Sequence, residues 1–443
     1  MRVLFIFGTG SEVRQFLHSG IIANLVGKGI PIFISSKQSI LDEINKAHTK
    51  VIELPWFDVS FPSGILSRIT KTLDLAFEKK YIYKAWSYNN RQKEITLIES
   101  LIASFVAIKP VNELFLFIER KLQKANNVLS KEWIDLLKSN HIERVVVNAA
   151  RNYPAVLYAA QKLKIPVIIP FHTNKDIYAQ GRINFRFKKY GVWNQEMANE
   201  LIHYNPFINK HAFEVIGCSH FSYLSDSNFD ASDEAFSSKY KVNPAEDFIV
   251  LYTAAGPGVI LNETSYIDDI RESLESKGIS RYKIIVRSNP MDFTPVWDSK
   301  QKTNVIVLKP QWHYDPVAFF NYTKLEDLRE FHALMKHCHV CINIPSTVTV
   351  ECAITRVPII NICYNNDFNK GADILKFWNA PFYRNVIKYK AAIPVFSKSE
   401  LQMKLVQIKS GLKIINEQKL FLENEIGIVI SELTTIGSKF IVS

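Results

Sequence analysis

The stretch from Val340 to Cys363 constrains the fold of this chain more than any other. An apolar run, Val340 to Ile344, stops at Pro345 and gives way to the small hydroxyl residues Ser346 and Thr347. A helix-compatible segment follows around Glu351, then Pro358 and a second apolar run from Ile359 to Ile362. Strand, turn, helix and strand in that order form the repeating unit of a parallel sheet. Ser346 and Thr347 suit a helix start, because their hydroxyls accept from the first unpaired amides. A helix that opens just past the carboxyl end of a buried strand is a ready anion site. Glu351 falls about one turn inside that helix, where its carboxylate either meets a ligand's hydroxyls or simply faces solvent.

A chain of 443 residues is long enough for two cores. Its five cysteines, Cys218, Cys338, Cys341, Cys352 and Cys363, are odd in number and scattered, which points to a reducing compartment rather than a disulfide framework. The opening MRVLFIF runs straight into a glycine turn, and no apolar run is long enough to cross a membrane: Leu101 to Ile118 carries Lys109, Pro110 and Glu113. The expected location is therefore the cytoplasm. A net charge of +11 calls for an anionic partner. The sequence has no zinc-finger spacing, helix-turn-helix signature or RNA-recognition motif, so nucleic acid is not expected, and phosphate-bearing small molecules or lipids are.

In chain order, Arg2 to Phe7 reads as a buried strand, and Gly8-Thr-Gly-Ser-Glu12 as a sharp turn into a helix from about Ser11 to Gly27–Gly29. A second strand, Pro31 to Ser35, ends in Ser-Lys with no acidic residue, which argues against a dinucleotide cofactor. Between Leu54 and Lys138 long helical patterns replace the alternation. Within them, Ile65 to Lys93 holds seven Lys/Arg against Asp74 and Glu78, interleaved with Phe77, Tyr81, Tyr83, Trp86 and Tyr88. Such a segment either lies on an anionic membrane or is a solvated face with its aromatics turned inward. Strands resume at Arg144–Asn148, Pro166–Pro170, Lys189–Trp193 and Phe213–Ile216, and the loop Phe171-His172-Thr-Asn-Lys-Asp176 follows the second of these. Residues 219–246 are rich in Ser, Asp and Asn and read as a linker. Phe248–Thr253 opens a second alternating unit, followed by the small-residue loop Ala254-Ala-Gly256-Pro-Gly258, whose amides can approach a phosphate closely. The strand Tyr282–Arg287 ends in Arg-Ser-Asn289-Pro. Val305–Leu308 is a further strand and Leu325–Met335 a helix.

The hydroxyl turn, the Glu351-Cys-Ala triplet and the Pro358 strand resemble the donor-binding segment of GT-B glycosyltransferases. The Gly-Thr-x-x-Glu turn is similar to that of UDP-sugar 2-epimerases, and Arg-x-x-Pro to CDP-glycerol-type transferases. The resemblance implies an α/β protein of two Rossmann-like domains whose parallel sheets face a cleft, with a helical insertion in the first. The expected boundaries are 1–218 (insertion 55–140), a linker at 219–246, 247–412, and a terminal helix 413–443 crossing back. It also implies a glycosyltransferase of surface-polysaccharide or lipid-linked glycan synthesis, taking a nucleotide-sugar as substrate without a separate cofactor. The acceptor would be a glycan or a lipid-linked glycan; the membrane alternative for the basic Ile65–Lys93 segment would put this cytoplasmic enzyme at the inner face of the plasma membrane, as a peripheral protein. An epimerase of the same fold and a non-catalytic binding subunit remain alternatives.

Transfer needs a stabilised leaving pyrophosphate and, for inversion, a base on the acceptor hydroxyl. The donor-binding candidates are Gly10, Gly256, Gly258, Asn289, Ser346, Thr347 and Glu351, with Arg287 neutralising the leaving group. Glu12 or His172 is the candidate base, ahead of Asp176 and His18. Two glutamates eight positions apart accompany retention in this fold; the positions flanking Glu351 are Asn343 and Ile359, which favours inversion. His332, His337, Cys338, His339, Cys341 and Cys352 invite a zinc reading, but neighbours on a strand point to opposite faces, so no metal is expected.

Overall fold

The computed structural model describes residues 1–47, 49–57, 64–81, 97–125, 131–149, 153–175, 183, 185–205, 208–256, 259–260, 262–315, 320–369 and 373–443. The chain divides into two compact units. Unit 1 comprises Met1–His220, Tyr314–Tyr322 and Glu432–Ser443, and unit 2 comprises Phe221–His313 and Thr323–Ser431.

Unit 1 is built on seven parallel strands: β1 (Val3–Phe7), β2 (Ile32–Ser36), β3 (Ile52–Leu54), β4 (Arg144–Val146), β5 (Val167–Pro170), β6 (Lys189–Val192) and β7 (Phe213–Val215). They lie in the order β3-β2-β1-β4-β5-β6-β7. The apolar run Val3–Phe7 is wholly buried, as a strand covered on both faces must be. Strand order reverses at β1, whose neighbours are β2 (Val3 opposite Ile32) and β4 (Val3 opposite Arg144). The expected single helix after β1 is broken. A π-helical turn spans Val13–His18, Gly20 turns left-handed at φ 78°, and a short helix runs Ile21–Gly27. At the break Ser19 Oγ donates to the Gln15 carbonyl at 2.6 Å, a local bond that competes with the helical ladder. The insertion is helical at Gly64–Tyr81, Leu97–Val106, Lys109–Ala125 and Lys131–Ser139. Tyr83, Lys84, Trp86, Tyr88, Arg91 and Lys93 of the basic aromatic segment lie outside the described residues.

Two late segments complete unit 1. The strands β11 (Trp312–Asp315) and β12 (Phe320–Thr323) pair with each other, and Phe320 and Tyr322 enter the same core as Phe5, Phe16 and Ile22. The helix Leu433–Val442 adds Phe440 and Ile441 to it. Burying each of these large side chains contributes about 1.5–3 kcal/mol.

Unit 2 holds β8 (Phe248–Thr253), β9 (Tyr282–Arg287), β10 (Val305–Leu308), β13 (Val340–Asn343), β14 (Ile359–Ile362) and β15 (Ile393–Val395) in the order β10-β9-β8-β13-β14-β15. All are parallel, and the order reverses between β8 and β13, where Val250 faces Val340. The segment 219–246, expected as a linker, is folded. Ser232 caps a helix over Asp233–Tyr240 by accepting from the Ala235 amide, and Phe236 and Tyr240 are buried. Ser and Asp mark caps here rather than a flexible tether, because a cap uses the same residue types as a loop. Ile415–Glu425 belongs to unit 2, so of the expected terminal helix 413–443 only Glu432–Ser443 returns to unit 1.

Candidate active site

In open parallel sheets, ligands bind at the carboxyl ends of the strands where strand order reverses. Each of the two main sheets has one such point, between β1 and β4 in unit 1 and between β8 and β13 in unit 2.

In unit 1 the point lies between β1 and β4. Gly10 adopts φ 84°, and a side chain there would strike the Asn321 carbonyl, so the turn is closed to any other residue. Glu12 follows and is fully buried. Its carboxylate accepts from the Thr9 amide at 3.2 Å, from Thr9 Oγ1 at 3.0 Å and from the Tyr153 hydroxyl. Thr9 Oγ1 lies 2.8 Å from Ser11 Oγ, which accepts from Asn148 Nδ2 at 2.9 Å. Tyr153 also donates to Asn148 Oδ1 at 3.3 Å. Burial pushes the Glu12 carboxyl above its ordinary range against these donors, and pushes the Tyr153 phenol up as well. The arrangement is a buried acid with two half-buried hydroxyls, Thr9 and Ser11, in front of it.

His172 belongs to a second cluster on the same rim. Its ring lies 5.0 Å from that of His220, whose Nδ1 is 3.0 Å from Cys218 Sγ, while Arg14 Nε donates to the His220 carbonyl at 3.3 Å. Burial, then the Arg14 charge, lower His172 to about 4, so its imidazole is neutral at pH 7. Lys175 in the same loop is lowered to about 8 by burial. Asp176 lies outside the described residues. His18 is not on the rim: its Nε2 sits 3.3 Å from the buried Glu43 carboxylate.

In unit 2 the point lies between β8 and β13. Gly256, at φ 98°, packs on the side chain of Asn289, which donates to the Ala255 carbonyl at 2.9 Å and accepts from the Met291 amide at 2.9 Å. Gly258 lies outside the described residues. The loop amides expected to meet a phosphate are occupied from within. Glu263 accepts from Ala255 N at 2.7 Å, Gly256 N at 3.0 Å and the Tyr252 hydroxyl at 3.0 Å. Burial raises this carboxyl to about 7 in spite of those donors. Arg287 is likewise committed: its guanidinium bonds the buried Asp327 at 2.5 Å and stacks on Phe331 at 4.6 Å. Asp327 also accepts from Trp312 Nε1 at 3.0 Å and Gln311 N at 2.9 Å. The free cation expected at this strand end is thus a paired one.

At the start of the helix Val348–Thr355, Ser346 Oγ accepts from Val348 N at 3.3 Å, and Thr347 is half-buried at the capping position. Behind them runs a buried chain. Asn343 Nδ2 donates to Ser346 Oγ (2.9 Å), Asn361 Nδ2 to Asn343 Oδ1 (2.6 Å) and Tyr383 OH to Asn361 Oδ1 (2.7 Å), with Thr349 Oγ1 2.5 Å from the Tyr383 oxygen. Glu351 is 4 % exposed, with the Tyr223 hydroxyl at 3.5 Å, so its carboxylate does not stand in solvent. A cleft of about 680 Å³ lies at the other end of this helix, lined by Ala353, Ile354, Arg356 and Leu422, and none of the expected donor-binding residues reaches it.

The histidines of the zinc reading disperse. His332 Nδ1 lies 3.1 Å from the Phe229 carbonyl, His337 stacks on Phe236, and His339 Nδ1 accepts from the Ile249 amide.

Tyr153, Asn148, Glu263, Asp327 and Tyr383 were not anticipated. One signal existed for Asn343 and Asn361: each is the polar residue of an otherwise apolar strand, in Cys-Ile-Asn-Ile and Ile-Ile-Asn-Ile, and the two pair in register.

No family model and no curated protein matches the sequence. Solved structures do match it in fold. A UDP-GlcNAc 2-epimerase from Neisseria meningitidis, bound to UDP-GlcNAc, superposes with a TM-score of 0.58 at 14 % identity over 100 % of both chains. A putative UDP-N-acetylglucosamine 2-epimerase from Listeria monocytogenes gives 0.59 at 11 % identity, covering 100 % of this chain and 97 % of the other. A glycosyltransferase from Rickettsia africae gives 0.53 at 11 % identity, covering 100 % and 98 %. The likeness is one of fold, and with two Rossmann-like parallel sheets in one polypeptide the chain has the GT-B fold.

Proposed function

We propose that the chain is a glycosyltransferase in which unit 2 holds a nucleotide-sugar and unit 1 supplies the base for an inverting transfer to a glycan or lipid-linked acceptor. The observation that carries this is the buried carboxylate at the carboxyl end of the first strand of unit 1. Glu12 is fully buried there, with the Thr9 hydroxyl bonded to it and the Ser11 hydroxyl beside Thr9. Inverting transfer needs a single base to take the acceptor's hydroxyl proton, whereas epimerising a carbon that bears a hydrogen needs that proton removed on one face and one delivered on the other. A carboxyl raised by burial holds a proton more tightly than an ordinary carboxylate, which suits it to that single task. The half-buried Thr9 and Ser11 hydroxyls give the acceptor's proton a hydrogen-bonded path to it. In unit 2, the Asn343–Asn361–Tyr383 chain fixes Ser346 at the helix start, where the helix dipole favours a ligand's negative charge.

The second reading is a UDP-sugar 2-epimerase, favoured by the epimerases among the solved structures of like fold. One experiment separates the two. A thermal-shift screen across UDP-, GDP-, CMP- and dTDP-sugars first identifies the donor, since a ligand that binds only the native state raises its stability. The donor is then incubated alone and with a pool of glycan and lipid-linked acceptors. Release of nucleoside diphosphate only when acceptors are present is the expected result. Appearance of the C2 epimer without any acceptor overturns the transfer reading.

A further inference from the structure

Among the described residues, the helical insertion of unit 1 presents an exposed apolar face. In the helix Leu97–Val106, Ala103 and Val106 pack inward with Leu73, Leu75 and Ala76 of the helix Gly64–Tyr81. The opposite stripe is also apolar: Leu97, Ile98, Leu101, Ile102 and Phe105 are between 46 and 78 % exposed. Ile108, Leu114 and Phe117 extend it into the helix Lys109–Ala125 at 51 to 56 % exposure. A soluble helix places polar residues on its outer face, so a helix apolar on both faces has a partner for each.

We infer that this face is a membrane-docking surface, which seats in the headgroup region of a bilayer bearing anionic lipids. The geometry selects lying on the membrane over crossing it. The two helices meet at a bend of 99°, and ten residues of helix reach only about 15 Å of a hydrocarbon layer about 30 Å thick. The charges select an anionic surface. In these two helices Glu99 is tied to Lys71 and Glu119 is buried against Thr70, which leaves Glu113 as the exposed acid beside the exposed Lys109 and Lys121. Lys121 stands over the Phe117 ring at 5.4 Å, the posture of a lysine whose stem covers apolar surface while its ammonium reaches outward. The preceding helix Gly64–Tyr81 adds the exposed Arg68, within a chain of net charge +11. Apolar side chains seated among basic ones make an interfacial helix pair. This inference is independent of the reaction: vesicle binding requires no donor and no acceptor.

The test is co-sedimentation of the full chain with phosphatidylglycerol/phosphatidylcholine vesicles, set beside the L101S/F105S/F117S variant. All three side chains are exposed, so an unchanged thermal melt certifies the fold. The wild type is expected to pellet, and the variant to lose vesicle binding by at least about tenfold. In a separate F105W variant, tryptophan emission is expected to shift to the blue on adding these vesicles. A wild type left in the supernatant at low salt, or a triple variant that pellets equally, overturns the inference. So does a wild-type dimer in light scattering that becomes monomeric in the triple variant while neither binds vesicles, because the face would then belong to a second copy.

Discussion

Replacing Glu263 with glutamine tests the charge balance of the unit 2 rim. In the folded chain this carboxyl titrates at about 7, against an ordinary value of 4.5, because burial outweighs the amides of Ala255 and Gly256 and the Tyr252 hydroxyl. A pKa raised on folding means that the folded state holds the proton more tightly. Its stabilising contribution is complete below pH 4.5 and is lost as pH rises to 7. A shift from 4.5 to about 7 corresponds to about 3 kcal/mol at 1.36 kcal/mol per unit. The group is 4 % exposed, so solvent screening reduces this little. Glutamine keeps the shape and one acceptor oxygen but does not titrate. The stability difference between E263Q and wild type should therefore move by about 3 kcal/mol in the variant's favour between pH 4 and pH 8. Urea unfolding of both proteins across that range, monitored on the unit 2 transition, measures it. A difference that stays flat with pH would refute the reasoning, because Glu263 would then titrate at the same pH folded and unfolded.

Arg287→Ala leaves the buried Asp327 without its counter-charge, and a loss of about 3–5 kcal/mol of stability is expected by chemical denaturation. An unchanged midpoint would return Arg287 to the role of a free cation. Glu12→Gln should lower turnover by about 10²–10⁴-fold with donor affinity intact, measured by nucleotide release against thermal shift. Tyr153→Phe removes a hydrogen bond that lowers the Glu12 pKa, so the acidic limb of the rate profile should move to higher pH. Glu351→Ala should weaken donor binding while the melt shows whether the loss of a buried carboxylate also weakens the fold. EDTA should leave turnover largely intact.

The regular parts of the fold were legible because a strand buried on both faces announces itself by composition alone. Val3–Phe7, Phe248–Thr253 and Val340–Ile344 need no alternation to be recognised. The β11–β12 pair escaped because Trp312–Asp315 and Phe320–Thr323 are mixed in polarity, and their partner is each other rather than the main sheets. The π-turn at Val13–His18 escaped because its apolar spacing equals that of the helix expected there. At the site, loop positions could be inferred but not which neighbour claims each group. Nothing near Arg287 in sequence marks Asp327, forty residues on, as its partner, and the Ala255 and Gly256 amides look open until Glu263 is seen folded back onto them. Long-range pairing of charges is a property of tertiary contact, which one sequence does not encode at any fixed spacing.

The way unit 1 is stitched from distant parts of the chain dictates the order in which the protein matures during synthesis. The strand Val3–Phe7 is made before every other described strand, yet the core it enters includes Phe320, Tyr322, Phe440 and Ile441. Thr434 Oγ1 closes on the Ser19 carbonyl at 2.6 Å, across 415 residues of sequence. Everything unit 2 needs is made before Glu432, so unit 2 has its full complement of residues before unit 1 does. At about 5–20 residues per second, the nascent first unit waits on the order of ten seconds or more between His220 and its last helix, with part of its apolar surface uncovered. During that interval the apolar surface of unit 1 is open to a chaperone, and the Leu433–Val442 helix is the segment that covers it.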